Sequence, residues 1–453
     1  MKGKRSYAAT DVEQLDVQAL LLLVTVGCIV AIDVAKTKFV VAVATAGGEV
    51  LKLVRFEHPR QTSAFLGVLR RFQEAKCKPV VVMEPTGTYG DAVRHQCHAM
   101  GLPVHMMPPK HSHDFAEVLD GVPSMHDPKA ATVLARLQAI KPARPWEPES
   151  VARRDLRAWV DQRRPIARTL ALYQGHLEAM LARHWPEFAA HFDVYDQRSW
   201  FALLKEFPGP EAVSAAGEAA AQTLRKASRG HLGQARIRAI VDSARSTTGV
   251  PMTAGEQERL RVIADQIEVQ TRRLDAVDAT LAALVAEDEV LRRIATVVGP
   301  ACAGAIGSLV GSPLDFPNAR ALEKAIGLNL KEKSSGNKQG QMSITKRGPG
   351  EVRRLLFMAA LRFLKDDATA RAWCHARKAY VGDQKIKAVV ALMRKLARAL
   401  WHVARGEVFD AAKLFDTRRL DLPSHTIRRT NTAAPASSLG RAPEPCQGGA
   451  AIA

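Results

Sequence analysis

Between Cys28 and Met107 the apolar residues come in short runs separated by amphipathic stretches. CIVAID (Cys28 to Asp33) and FVVAVA (Phe39 to Ala44) flank a turn at Val34 to Lys38, and Gly47-Gly48 returns the chain into Val50 to Phe56, so the pattern predicts a three-stranded meander. Gln61 to Glu74 carries helical spacing. PVVVM (Pro79 to Met83) is apolar throughout, as in a parallel strand buried on both faces. A helix at Tyr89 to Met100, a strand at Pro103 to Met107 and a helix at Pro128 to Ile140 follow. The apolar run Ala19 to Ile32 is only about 14 residues long, contains Thr25 and Gly27, and ends in Asp33. It is too short for a membrane span, and its second half reads as a buried strand.

Meander, helix, strand, helix, strand, helix is the order of ribonuclease-H-like domains, so an α/β domain is expected over residues 26–141, after an N-terminal extension of residues 1–25. The proline-rich KPARPWEP (Lys141 to Pro148) marks a boundary. Beyond it the pattern is helical. Leu260, Ile263, Ile267, Leu274, Val277, Leu281 and Leu284, with Gln270 as the polar seam position, keep a heptad for about three and a half repeats. Residues 149–293 are therefore expected to be a helical, coiled-coil region in which Ile166 to Arg183, after Pro165, pairs antiparallel with the heptad helix; an ordinary bundle explains the pattern equally well. Residues 294–429 read as a mostly α, basic domain. It opens with VGPACAGAIG (Val298 to Gly307), either a hairpin whose helix N-terminus holds phosphate or a close packing of small residues. Residues 430–453 have almost no large apolar side chains and are expected to be disordered.

A chain of 453 residues exceeds what one core organises, which agrees with several domains. Charge changes the picture more. The chain carries +19, and between Arg320 and Arg429 stand 25 basic against 10 acidic residues, leaving +15 in that segment. Such a surplus points to a polyanionic partner held by the C-terminal region. The six cysteines are scattered without a CxxC, which excludes a disulfide scaffold or zinc ribbon and fits a reducing cytoplasm.

Three acids stand at telling places. Asp33 ends the first strand, Glu84 ends PVVVM, and Asp127 heads the helix that starts at Pro128. Chemistry in an open α/β sheet gathers beyond the strand carboxyl ends, so Asp33 and Glu84 would face one crevice if their strands are neighbours. A cluster of such oxygens suits Mg²⁺ or Mn²⁺. Alone, Asp127 before Pro128 reads as an ordinary N-cap.

AIDVAK at Ala31, MEPTGTY at Met83, HDPKAATVLARL at His126 and the run from Ile326 to Leu356 together resemble DEDD-type insertion-sequence transposases, which join a RuvC-like domain to a C-terminal serine domain. The order matches from about Cys28 to Leu364. The resemblance implies that Asp33, Glu84 and Asp127 hold Mg²⁺ or Mn²⁺. It also implies a fourth acid three residues beyond Asp127, where this chain has Ala130. Either the copy has decayed naturally or the residue was altered to trap an uncleaved complex. In KSSGNK (Lys333 to Lys338), which composition alone reads as a flexible loop, Ser335 matches the family's nucleophilic serine and Ser334 is the fallback. Lys331, Lys333, Lys338, Lys346, Arg347, Arg353 and Arg354 are the candidate nucleic-acid contacts.

The expected partners by resemblance are donor and target DNA, a structured guide (bridge) RNA, and further copies of the chain as a dimer or tetramer, with no membrane. The expected setting is a prokaryotic cytoplasm, in association with the nucleoid. The leading expectation is a recombinase that breaks and rejoins DNA through Ser335. A hydrolytic Holliday-junction-resolving nuclease would use the carboxylates and water. A nucleic-acid-binding copy without catalysis is the third reading, and Ala130 favours it.

Overall fold

The computed structural model describes residues 8–24, 26–121, 126–192, 199–335, 338–380, 385–416 and 420. The chain divides into two compact units, residues 1–150 and 151–453.

The first unit is built on β1 (Thr10–Asp11), α1 (Val17–Leu23), β2 (Ile29–Asp33), β3 (Lys38–Ala44), β4 (Val50–Glu57), α2 (Thr62–Glu74), β5 (Val80–Met83), α3 (Asp91–Ala99), β6 (Val104–Met106), α4 (Pro109–Asp120), α5 (Asp127–Ile140) and β7 (Arg144–Pro145). Its sheet runs β1-β4-β3-β2-β5-β6-β7. The meander β2-β3-β4 is antiparallel, while β2 pairs in parallel with β5 and β5 with β6. This mixed α/β sheet is compatible with the ribonuclease-H-like order. Side chains alternate between two cores, as a two-residue period requires. Val30, Ile32, Phe39 and Phe56 pack with Phe65, Leu69 and Phe72 of α2 and Val93 of α3. Ile29, Ala31, Val40, Ala42 and Val82 pack with Ala131, Leu134 and Ala135 of α5. Helices therefore cover both faces, which is why β2 as far as Ile32 and all of β5 are apolar.

Two features go beyond the predicted pattern. Within the stretch expected to be an N-terminal extension, Thr10 and Asp11 join the sheet by pairing in parallel with Val54 and Arg55, and Leu20 of α1 is buried. Helix α4, which the pattern did not predict, follows β6 over Pro109–Asp120.

The second unit contains α6 (Val151–His184), α7 (Phe188–His191), α8 (Ser199–Glu206), α9 (Pro210–Ala216), α10 (Glu218–Ser228), α11 (Gln234–Arg245), α12 (Ala254–Glu287), α13 (Glu289–Val298), α14 (Pro300–Leu309), α15 (Ala319–Ile326), β8 (Leu330–Ser335), β9 (Lys338–Ile344), α16 (Gly350–Asp366), α17 (Ala368–Tyr380) and α18 (Lys385–Ala404). Helices α6 and α12, 34 residues each, lie antiparallel. Leu156 and Val160 share a core with Val277, Leu281 and Val285, whereas Leu177 and Leu181 share another with Leu260, Ile263 and Ile267. Arg163 grips Asp278 through two hydrogen bonds of 2.5 and 3.0 Å, and His184 meets Glu256 at 3.6 Å. The helix begins well before Pro165, contrary to the expected start after it. Pro165 and Asp161 are exposed, so water can serve the Asp161 carbonyl that loses its donor. Small residues of α14 pack closely: a Cβ on Gly304 would lie 3.3 Å from Leu156 and 3.4 Å from Val285.

The segment expected to be a serine loop is instead largely a hairpin, since β8 and β9 pair antiparallel from Leu330↔Ile344 to Ser335↔Lys338. No described helix is long and apolar enough to cross a membrane. Residues 430–453, expected to be disordered, lie outside the described residues.

Candidate active site

Strand pairing brings two of the acids together. Ile32 of β2 is in register with Met83 of β5, so Asp33 and Glu84 follow one another at the carboxyl ends of neighbouring parallel strands. Pro85 then ends β5, having no N–H to donate. The two following loops meet closely at Gly90, where a Cβ would lie 3.2 Å from Val34.

Helix α5 supplies the third acid. Gly48 (φ +85°) lets the β3–β4 turn press against α5, since a Cβ there would sit 2.9 Å from that of Ala139 and 3.1 Å from the Arg136 Cα. The N-cap of α5 is His126, whose ring accepts from the Lys129 N–H at 3.3 Å. Asp127 is the first helical residue, so the N-cap expectation is corrected and its exposed carboxylate is left out of that role.

The electrostatics couple the three. Burial raises the Asp33 pKa, the charges of Asp127 and then Glu84 raise it further, and the Val34 N–H hydrogen bond only partly opposes them, leaving it at about 7. Burial also raises Glu84, against a hydrogen bond from Ser112. Ser112, on α4, is buried, and its hydroxyl is also 3.0 Å from the Pro109 carbonyl, so its one proton serves one acceptor at a time. Sequence reasoning missed Ser112, which stands in PKHSHD without apolar periodicity to place it.

Ala130 is buried one turn beyond Asp127 and presents only a methyl group. Among the described residues no group of three His, Cys, Asp or Glu side chains is gathered tightly enough to hold an ion. The donor chemistry still fits a hard divalent cation. Asp33, Glu84 and Asp127 offer oxygen ligands whose mutual repulsion a cation would relieve.

In the second unit Ser335 ends β8 opposite Lys338. The side chains of Lys333, Ser334, Ser335 and Lys338 lie outside the described ones, as do Gly336 and Asn337. Lys331, Lys346 and Arg347 are exposed. Arg353 and Arg354 have structural partners. Arg353 donates to the Ile326 and Gly348 carbonyls at 3.0 and 2.8 Å, and Arg354 makes a two-pronged pair with buried Glu351 at 3.0 and 2.5 Å.

Acids at the ends of adjacent parallel strands of an α/β sheet, followed by a mostly helical basic unit, are compatible with two-domain transposases that carry a RuvC-like first domain. Residues 30–186 match the DEDD-type IS110 transposase domain, and residues 288–374 match the domain described as transposase of the IS116/IS110/IS902 family. By these two domains the chain belongs to the IS110 family of transposases. It is also similar to a probable family 20 transposase of Pseudomonas aeruginosa, at 29% identity over 186 residues, covering 39% of this chain and 53% of that protein. The match thus spans about half the length of that relative.

Proposed function

We propose that the chain acts in transposition as a DNA recombinase that breaks and rejoins strands through a serine, with a RuvC-like first unit and a coiled-coil α6–α12 pair. The observation that carries this reading is the succession of Asp33 and Glu84 at neighbouring strand ends, with the charge of Asp127 acting on Asp33. These three residues would hold Mg²⁺ or Mn²⁺, which supplies positive charge to the phosphate oxygens and to the reacting hydroxyl.

The Ser335 hydroxyl attacks the scissile phosphorus. Its Oγ–P bond forms as the P–O3′ bond breaks, and the proton lost by the serine ends on the departing 3′-oxygen. Rejoining reverses these changes with a 3′-hydroxyl of another strand. Lys331, Lys333, Lys338, Lys346 and Arg347 would neutralise the backbone near the serine, while Arg353 also donates to the Ile326 and Gly348 carbonyls and Arg354 also pairs with Glu351 on its own helix. DNA, a structured guide RNA and a second copy completing a composite site belong to the same reading.

Ala130 favours a second reading, in which this copy binds nucleic acid without cleaving it. Denaturing electrophoresis of the Ala130→Asp protein with end-labelled DNA separates the alternatives. The recombinase reading expects a protease-sensitive adduct that disappears in Ser335→Ala and persists in Ser334→Ala. Cleaved DNA without an adduct would mean that water is the nucleophile. Binding with no breakage under Mg²⁺ or Mn²⁺ would leave the non-catalytic reading.

A further inference from the structure

Outside the serine hairpin, the second unit contains a cavity of about 360 Å³ between α17 and α18, lined by Trp373, Arg377, Ala391, Arg394, Lys395 and Arg398. On α18, Ala391, Arg394, Lys395 and Arg398 share one helix face at helical spacing. The short Ala391 side chain opens the floor beneath three cations. Arg377 adds a fourth from α17, and all but Trp373 lie beyond the residues matched to the family domain.

Glu323 on α15 orients two of the four. Its buried carboxylate accepts from Arg394 Nε at 2.7 Å through one oxygen and from Arg398 Nε through the other. Lys395 is placed differently. Its ammonium donates to the Leu414 carbonyl at 2.5 Å and lies 5.3 Å from the Trp373 ring centre and 5.7 Å from that of Phe415. None of these contacts is to a carboxylate. Burial, and after it the charges of Arg398 and Arg377, lower the Lys395 pKa. On α18 alone three cations are held around the cavity, two of them sharing the single Glu323 carboxylate, and an anion would relieve the repulsion between them.

We infer that this α17–α18 cavity seats a phosphodiester group of a nucleic-acid backbone, with Lys395 as the principal contact and Glu323-oriented Arg394 and Arg398 beside it. The inference rests on the reading of the chain as a nucleic-acid enzyme, but uses residues separate from the carboxylates and the serine. The Trp373 face is taken up by Lys395 and by Phe415, whose ring centre lies 5.1 Å away, so the site holds backbone and does not stack a base.

The test is equilibrium binding of labelled single-stranded and duplex DNA of about 20 nucleotides, measured in EDTA between about 50 and 200 mM NaCl. Lys395→Met keeps the apolar stem and removes a charge that repels its neighbours, so the fold should hold and the melting temperature should report it. The expected result is an affinity about tenfold weaker on every sequence, with the slope of log K against log salt reduced by about one. Lys395→Arg should restore both. An unchanged affinity and slope in a folded Lys395→Met protein would overturn the cavity proposal while leaving the recombinase reading intact. Failure of the unaltered chain to bind any DNA or RNA would overturn both. If millimolar inorganic phosphate raises the melting temperature only when Lys395 is present, while DNA affinity is the same in both proteins, the cavity is a small-anion site and the backbone assignment is wrong.

Discussion

Replacing Asp33 by Asn should make the metal-free protein more stable at alkaline pH even as it removes a proposed ligand. The native carboxyl has its pKa raised from 3.8 to about 7, first by burial and then by Asp127 and Glu84. In the unfolded chain the same group releases its proton near 3.8. Between these values the folded state holds the extra proton, so folding stability falls as pH rises from about 4 through about 7. At about 1.4 kcal/mol per pH unit the ceiling on that loss is about 4 kcal/mol. Asp33 is half-buried, and counter-ions gather at a negative cluster, so a difference of about 2 kcal/mol is the working expectation.

Asparagine has nearly the shape of the protonated acid and cannot ionise. The variant and the parent should therefore match near pH 4 and diverge above pH 7, with Asp33→Asn the more stable. The assay is urea unfolding in EDTA across this range, with hydrogen exchange of the β2 and β5 amides reporting the first unit separately. Adding Mg²⁺ or Mn²⁺ at pH 8 should stabilise the parent and leave the variant nearly unchanged, because a ligand that binds only the folded state adds stability by mass action. Parent stability that rises between pH 5 and 8 in EDTA, or an Asn variant less stable than the parent at pH 8, would refute the repulsive-cluster account.

Three other outcomes follow from the geometry. Ala130→Asp should raise Mg²⁺-dependent strand cleavage by adding an oxygen ligand one turn from Asp127, and a cleavage rate equal to the parent's would rule out the missing-ligand explanation. Gly48→Ala should cost about 2 kcal/mol or more in denaturant unfolding, since its φ of +85° is strained for alanine and the new methyl would sit 2.9 Å from Ala139 on the helix that carries Asp127. Glu323→Ala should destabilise the second unit by about 3 kcal/mol by leaving Arg394 and Arg398 without their shared buried carboxylate, with Glu323→Gln losing less; equal melting temperatures for all three proteins would disprove this.

The first unit was readable because its signals are local. An apolar run closed by an acid defines both a buried strand and the place where its last side chain emerges, so Asp33 and Glu84 could be picked out before their strands were known to be neighbours. The hairpin β8–β9 sends no such signal. LKEKSS and KQGQMSI pair only with each other, so nothing imposes apolar alternation on them, and their glycine and serine content resembles a loop. Net charge misleads in the same way. The surplus between Arg320 and Arg429 is visible in the chain, but its allocation is tertiary: Arg353 and Arg354 are engaged by carbonyls and Glu351, while Arg394, Lys395 and Arg398 surround a cavity.

Asp127 shows how small the deciding difference can be. An aspartate before a proline is by default the N-cap, its carboxylate turned back on the helix's own N–H groups. Here the helix starts one residue earlier, and His126 takes the cap through its ring nitrogen. Asp127 thereby becomes the first helical residue, where the unpaired N–H groups of the helix end favour a negative charge without taking its oxygens as cap ligands. Its charge is then felt at Asp33, beyond the end of β2. A one-residue shift in helix start, set by a histidine with no strong capping preference of its own, thus decides whether the third acid serves the backbone or the carboxylate cluster.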